Sequence, residues 1–274
     1  MSCPIGVFDS GYGGLTILKD IVKEMPEYDY IYLGDNARTP YGTRSFDVVY
    51  KYTREAVVKL FDMGCKLVIL ACNTASAKAL RTIQQVDLPQ IDPQRRVLGV
   101  IRPSVEAVAD FTTTGHIGIL ATSGTVASES YLLEIAKIHS EKGFKVTQQA
   151  CPMWVPLVEN NEINSPGAAF FVQKYIDIIM QADPVIDVLV LACTHYPLLR
   201  SVIDRFIPES VSVIQQGEIV ARSLKDYLQR HPEMERELSR GGEVEFLTTE
   251  KGGMFDKIAA LFMQAEVTSR HTEL

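Results

Sequence analysis

Two hydrophobic patterns alternate along the chain. Short unbroken apolar runs (Ile5-Gly6-Val7-Phe8, Tyr30 to Leu33, Leu67 to Ala71) are each followed by a segment whose apolar residues recur every three or four positions. Those segments are Leu15 to Met25, about Ser45 to Met63, and Ala75 to about Gln85. An unbroken run reads as a strand covered on both faces, and the wider spacing reads as an amphipathic helix. Pro26 and Gly64 supply helix stops. Strand and helix in alternation predict a parallel sheet with helical crossovers. Asp87 to Arg96, with two prolines, reads as a connection, after which the pattern restarts. Strands are predicted at Val97 to Ile101, Ile117 to Leu120, Phe144 to Ala150 and Val188 to Ala192. Helices are predicted at Ala127 to Lys142 and Gly167 to Gln181.

The two halves repeat one unit. Ile5-Gly6-Val7-Phe8-Asp9-Ser10-Gly11 is echoed by Ile117-Gly118-Ile119-Leu120-Ala121-Thr122-Ser123-Gly124 at an offset of 112 positions. Leu70-Ala71-Cys72-Asn73-Thr74 is echoed by Leu191-Ala192-Cys193-Thr194-His195 at an offset of 121. Beyond Pro208 come a short strand (Ser212 to Ile214), a helix (Glu218 to Gln229), a strand (Glu243 to Leu247) and a helix (Met254 to Met263). That tail is too short for a core of its own and is expected to return to the first half. The expected fold is α/β: two pseudo-symmetric parallel-sheet lobes, residues 1–97 plus 212–274 carrying Cys72 and residues 98–211 carrying Cys193. The active site is expected in the cleft between them.

Composition narrows the class. The 274 residues are 46% hydrophobic and 22% charged, with a net charge of −7, which is the profile of a globular protein. No basic stripe is present, so nucleic acid is not expected as the main ligand. The N-terminus lacks the basic and apolar regions of a signal peptide, and no apolar stretch reaches membrane-spanning length. Five cysteines without framework spacing suggest reduced thiols in the cytoplasm.

Each echo delivers a thiol at the carboxyl end of a buried strand, where open α/β sheets place their ligands. A cysteine at a helix N-terminus beside hydroxyl and amide donors gains thiolate character. Two such thiols on opposite sides of a ligand suit inversion of a carbon stereocentre, with one removing a proton and the other delivering one. His195 is spaced to polarise Cys193, and Asp9 to assist Cys72. The Gly11 to Gly14 turn, with Ser10, Asn73, Thr74, Thr122 and Thr194, offers donors for a carboxylate and for the carbanion formed in transit.

Five motifs carry a resemblance: DSGYGGL (Asp9 to Leu15), YLGDNARTPYG (Tyr32 to Gly42), LACNTASA (Leu70 to Ala77), CPMWVPLVE (Cys151 to Glu159) and LACTHYPLL (Leu191 to Leu199). In this order they resemble the glutamate racemase family across nearly the whole chain. The resemblance implies a cofactor-independent, metal-free enzyme supplying D-glutamate for peptidoglycan, with the second lobe inserted in the first and an oligomer, often a homodimer. By motif, Cys72 would act on D-glutamate and Cys193 on L-glutamate, assisted by Asp9, His195 and Glu159. Ser10, Pro40, Tyr41, Gly42, Asn73, Thr74, Thr122 and Thr194 would hold the substrate. Gln215-Gln216-Gly217 departs from the Ser-Gly element common in the family, which bears on hinge or regulatory detail.

Plainer readings apply elsewhere. Cys3 and Cys65 read as core residues, and Cys151 as either core or motif. His116, His139, His231 and His271 lack identifiable partners and read as surface or loop residues. Three rival functions use the same residues: a Cys₂His zinc site, a thiol redox sensor, and a Cys-His nucleophile. The last needs only one thiol, so the duplication argues against it. Within the superfamily, aspartate racemase is the alternative.

Overall fold

Every short apolar run forms a strand, and every strand pairing is parallel. The computed structural model describes residues 3–251 and 253–274. Ten strands are seen among the described residues: β1 (Ile5–Asp9), β2 (Tyr30–Gly34), β3 (Leu67–Leu70), β4 (Arg96–Gly99), β5 (His116–Ala121), β6 (Lys145–Ala150), β7 (Val188–Ala192), β8 (Ser212–Ile214), β9 (Val244–Thr248) and β10 (Ser269–His271). They form a six-stranded sheet in the order β10-β9-β2-β1-β3-β4 and a four-stranded sheet in the order β6-β5-β7-β8. Within these, β2-β1-β3-β4 and β6-β5-β7-β8 are the same arrangement, so the repeat seen in sequence is a repeat of topology. β9 and β10 extend only the first sheet, as expected for the tail, although the pattern predicts no strand at β10.

The described residues up to Val100 and from Gly217 onward form one compact unit, and Ile101–Gln216 form the other. Two of the expected assignments are corrected by strand pairing. The strand expected to open the second lobe is β4, and it pairs with β3 in the first sheet (Leu67↔Arg96 to Leu70↔Gly99). The Ser212–Ile214 strand, expected in the first lobe, pairs with β7 (Val188↔Ser212 to Val190↔Ile214) and so belongs to the second. A strand belongs to the sheet that satisfies its backbone groups, which its own hydropathy does not reveal. The chain therefore leaves the first unit after Val100, not Val97, and returns at Gly217, not Ser212.

The return point explains the Gln-Gln-Gly departure. Gln216 is buried, and its amide donates to Ser104 Oγ (2.7 Å) and Tyr131 OH (2.9 Å) within the second unit. Gly217 leaves room for the Asp20 carboxylate, which a Cβ there would displace, since it would lie 1.8 Å from Asp20 Oδ2.

Helices form where the spacing predicts, with two differences. The Ala127 to Lys142 segment divides into Ser123–Ala127 and Ser130–Ile138, because Glu129 takes a left-handed conformation (φ 55°). The Ala75 to Gln85 segment begins at Asn73, and a π-helical turn at Ile83–Asp87 interrupts its continuation. Among the described residues, no helix is long and apolar enough to cross a membrane.

Three of the four histidines without assigned roles have partners. His116 Nδ1 contacts Asp183 (2.8 Å), His139 Nε2 meets the Val105 carbonyl (2.8 Å), and His231 Nδ1 meets the Tyr227 carbonyl (2.8 Å). Cys65 is core as read, with burial pushing its thiol up to about 12.

The entry to β5 and β7 is tied by one carboxylate. Asp187 accepts from Thr112 Oγ1 (2.6 Å), the Thr113 and Thr114 amides (2.6 and 2.8 Å) and Thr113 Oγ1 (2.9 Å). Burial works against its charge, but these donors prevail and hold it well below the usual carboxylate range. A depressed carboxylate stabilises the fold above its unfolded pKa, and that stability fades as pH falls toward the folded value. Asp187→Asn is expected to cost roughly 2 kcal/mol in urea unfolding at pH 7. The gap to wild type should shrink below about pH 4; a gap independent of pH would contradict this account.

Candidate active site

The first half-site is built by the β1–β3 ladder. The pairing Gly6↔Val68, Val7↔Ile69, Phe8↔Leu70 continues to place Ser10 beside Cys72. Ser10 Oγ and Cys72 Sγ share a hydrogen bond at 3.4 Å. Cys72 is the N-cap of the Asn73–Lys78 helix, and its sulfur accepts from the Ala75 amide at 3.4 Å. An amide donor at a helix N-terminus is a setting that favours negative charge on sulfur. Asn73 and Thr74, the first two residues of that helix, are buried at its open end. Asp9 is buried, and its Oδ2 accepts from the Gly11 amide (2.8 Å), which folds the glycine-rich turn back on the strand tip. Gly14 must be glycine, since a Cβ there would lie 2.5 Å from the Asp9 Cβ.

The loop after β2 supplies Pro40, Tyr41 and Gly42. Thr39-Pro40 is cis, Pro40 is exposed, Tyr41 is buried and Gly42 is half-buried in a turn. Tyr41 donates to Asp35 Oδ2 (2.5 Å), and burial followed by the Asp35 charge drives the phenol pKa far up. The phenol therefore stays neutral. Arg38 bonds the same Asp35 oxygen (2.6 Å) and stacks over Tyr52, 4.0 Å from its ring centroid. Asp35 and Arg38 lie inside the motif that carries Tyr41. Periodicity gives them no part, although two opposite charges three positions apart are a local signal of such a pair.

The second half-site repeats the geometry with other chemistry. Leu120↔Leu191 and Ala121↔Ala192 bring Thr122 level with Cys193, as Ser10 is with Cys72. Thr122 caps the Ser123–Ala127 helix, accepting from the Thr125 amide (3.3 Å). Cys193 and Thr194 are buried, and the chain after them enters only a short 3-10 turn, Tyr196–Leu199. The helix N-terminus expected at this thiol is thus weaker than at Cys72.

Cys193 has a charge relay in its place. Its sulfur lies 3.9 Å from His195 Nδ1, and His195 Nε2 donates to Glu159 Oε1 at 3.0 Å. Burial alone would lower the His195 pKa, but the hydrogen bonds to Cys193 and Glu159 outweigh it and push the imidazole up to about 10. His195 is then a cation at neutral pH, held between a sulfur and a carboxylate.

Glu159 ends the Trp154–Glu159 helix, which is seated by aromatic packing. Trp154 meets Tyr196 edge-on, with centroids 4.7 Å apart, and Tyr196 donates to the Cys151 carbonyl (3.1 Å). Cys151 itself is a packing residue: it is fully buried, and burial drives its thiol well above the usual range. The structure thus gathers Asp9, Ser10, Cys72, Asn73 and Thr74 at one set of strand tips. Thr122, Cys193, Thr194, His195 and Glu159 gather at the other.

Comparison with known proteins agrees with this arrangement. The Asp/Glu/Hydantoin racemase family model matches residues 5–224. A glutamate racemase of Ruegeria sp. (strain TM1040) is 37% identical over 274 residues, covering 96% of this chain and 98% of the relative. Among solved structures, a glutamate racemase isoform of Bacillus anthracis superposes with a TM-score of 0.89 at 32% identity, covering 99% of this chain and 98% of the other. The glutamate racemase of Francisella tularensis, solved with D-glutamate, gives 0.86 at 30% identity, covering 100% of this chain and 97% of that one. With a thiol and a hydroxyl at matched strand tips in each unit and near-complete coverage of these relatives, the chain belongs to the glutamate racemase family.

Proposed function

We propose that this protein interconverts L- and D-glutamate, with Cys72 and Cys193 as the two acid–base groups. The observation that carries this reading is the duplicated register. Each unit sets a buried thiol at the tip of one strand and a hydroxyl at the tip of its neighbour. Racemisation through two bases needs a proton taken from one face of Cα and another delivered to the opposite face. In the D-to-L direction, Cys72 thiolate takes the α-proton, leaving the electron pair on Cα and delocalised into the α-carboxylate. The Cys193 thiol then donates its own proton to the other face and becomes thiolate. The L-to-D direction reverses each step, and no cofactor is called for.

Asp9 assists Cys72, while Ser10, Asn73, Thr74, Thr122 and Thr194 supply the polar groups that hold the amino acid and steady the charge on its carboxylate. Pro40, Tyr41 and Gly42 shape the loop beside the first set, with Tyr41 kept as a neutral donor by Asp35. His195, held between Cys193 and Glu159, is placed to polarise that thiol or shuttle its proton. The product, D-glutamate, would serve peptidoglycan synthesis. The same family reading extends to a cytoplasmic homodimer for which nucleic acid is not the main ligand.

The test is racemisation in deuterated water without added cofactor. Wild type should racemise both glutamate enantiomers with deuterium entering Cα. Cys72→Ser and Cys193→Ser should each lose about 100-fold or more in kcat. Full activity in either variant would refute the two-thiol mechanism. Exchange on aspartate but not glutamate would move the assignment to aspartate racemase.

The His195 relay predicts a shift in pH dependence. Glu159 helps raise the imidazole pKa, so Glu159→Gln lets His195 lose its proton at lower pH. The alkaline limb of kcat/KM for L-glutamate should move toward neutrality in that variant. An unmoved limb would show that His195 protonation does not govern the Cys193 step.

A further inference from the structure

The end of β9 and the helix after it reach the first half-site, although none of the motifs includes them. Tyr12, in the middle of the glycine-rich turn, is buried and donates its hydroxyl to Glu250 Oε2 at 2.9 Å. Its ring stacks on Phe255 and Phe262 of the Met254–Met263 helix, with centroids 5.6 and 6.4 Å apart. Glu250 is held in turn, because its amide donates to Thr248 Oγ1 (3.1 Å) and Thr248 Oγ1 donates to Asn36 Oδ1 (3.0 Å). Thr249 Oγ1 donates to Asp35 Oδ1 (2.9 Å) and accepts from the Ala37 amide (3.0 Å).

Three consecutive residues, Thr248, Thr249 and Glu250, therefore grip the turn that carries Ser10 and the loop that carries Tyr41. On the other side of the turn, Tyr32 OH donates to the Gly11 carbonyl at 2.9 Å. The turn has several glycines, and beside its local bond from the Gly11 amide to Asp9 (2.8 Å) it is held by these contacts from β9 and β2. Ser10, two positions before Tyr12, follows the β1–β3 ladder and meets Cys72 Sγ at 3.4 Å, so the ladder places it and the turn completes its hold.

We infer that Glu250 is a positioning residue for the Cys72 half-site, acting through Tyr12 to hold the glycine-rich turn and its Ser10 hydroxyl against the thiol. This rests on the racemase reading above for its effect on turnover, but not for its effect on the thiol. Glu250 touches no reacting atom in this scheme. Its carboxylate needs only to accept a hydrogen bond, and a glutamine can do that.

The experiment compares Glu250→Ala, Glu250→Gln and Tyr12→Phe with wild type. One readout is the rate at which iodoacetamide alkylates Cys72 and Cys193, resolved by peptide mass spectrometry. The others are melting temperature and glutamate racemisation. Glu250→Ala and Tyr12→Phe are expected to change Cys72 alkylation several-fold while leaving Cys193 alkylation unchanged, and to lower kcat about tenfold. Glu250→Gln is expected to recover most of both. Unchanged Cys72 alkylation in Glu250→Ala and Tyr12→Phe would overturn the inference. So would parallel changes at both thiols, because that is the mark of general loosening. If wild type does not act on glutamate, the proposed function fails while the alkylation result still decides the role of Glu250.

Discussion

The backbone ladder between two neighbouring parallel strands sets the chemistry of each half-site. β1 against β3, and β5 against β7, run in registers that bring one hydroxyl level with one thiol where the strands end. Slipping either ladder by one residue would turn every side chain to the opposite face of the sheet. The strands are buried on both sides, so backbone groups freed by such a slip would have no water to bond. The positions of Ser10 and Cys72 are thus protected by the whole hydrogen-bonded core beneath them, and Thr122 and Cys193 share that protection.

On matched scaffolds the two thiols receive unlike environments. Cys72 gains neutral partners, a serine hydroxyl and a backbone amide at the start of a helix. Cys193 gains an imidazolium braced by a carboxylate. The same placement occurs twice, with different neighbouring residues around each thiol. The supports differ as well. An aromatic edge between Trp154 and Tyr196 seats the Glu159 helix, whereas β9 and its successor helix, without a counterpart in the second sheet, reach the turn after β1.

Much of this was legible along the chain because it is local. Unbroken apolar runs can only be covered strands, three-to-four spacing can only bury one helical face, and the paired LACNT and LACTH segments fall at strand ends wherever the strands go. Fold class, the repeat and the two thiols follow from that periodicity, and the motif set carried the family. Strand membership did not follow. β4 and β8 have hydropathy that would suit either sheet, and the backbone partner that claimed each lies far away in sequence. The same holds for Asp35 beneath Tyr41, the Asp187 anchor and the Glu250 contact with Tyr12. Asp187 and Glu250 are half-buried and meet donors far away in sequence, and Asp35 is buried beneath a phenol six positions on; hydrogen bonds between side chains depend on distances that periodicity does not encode.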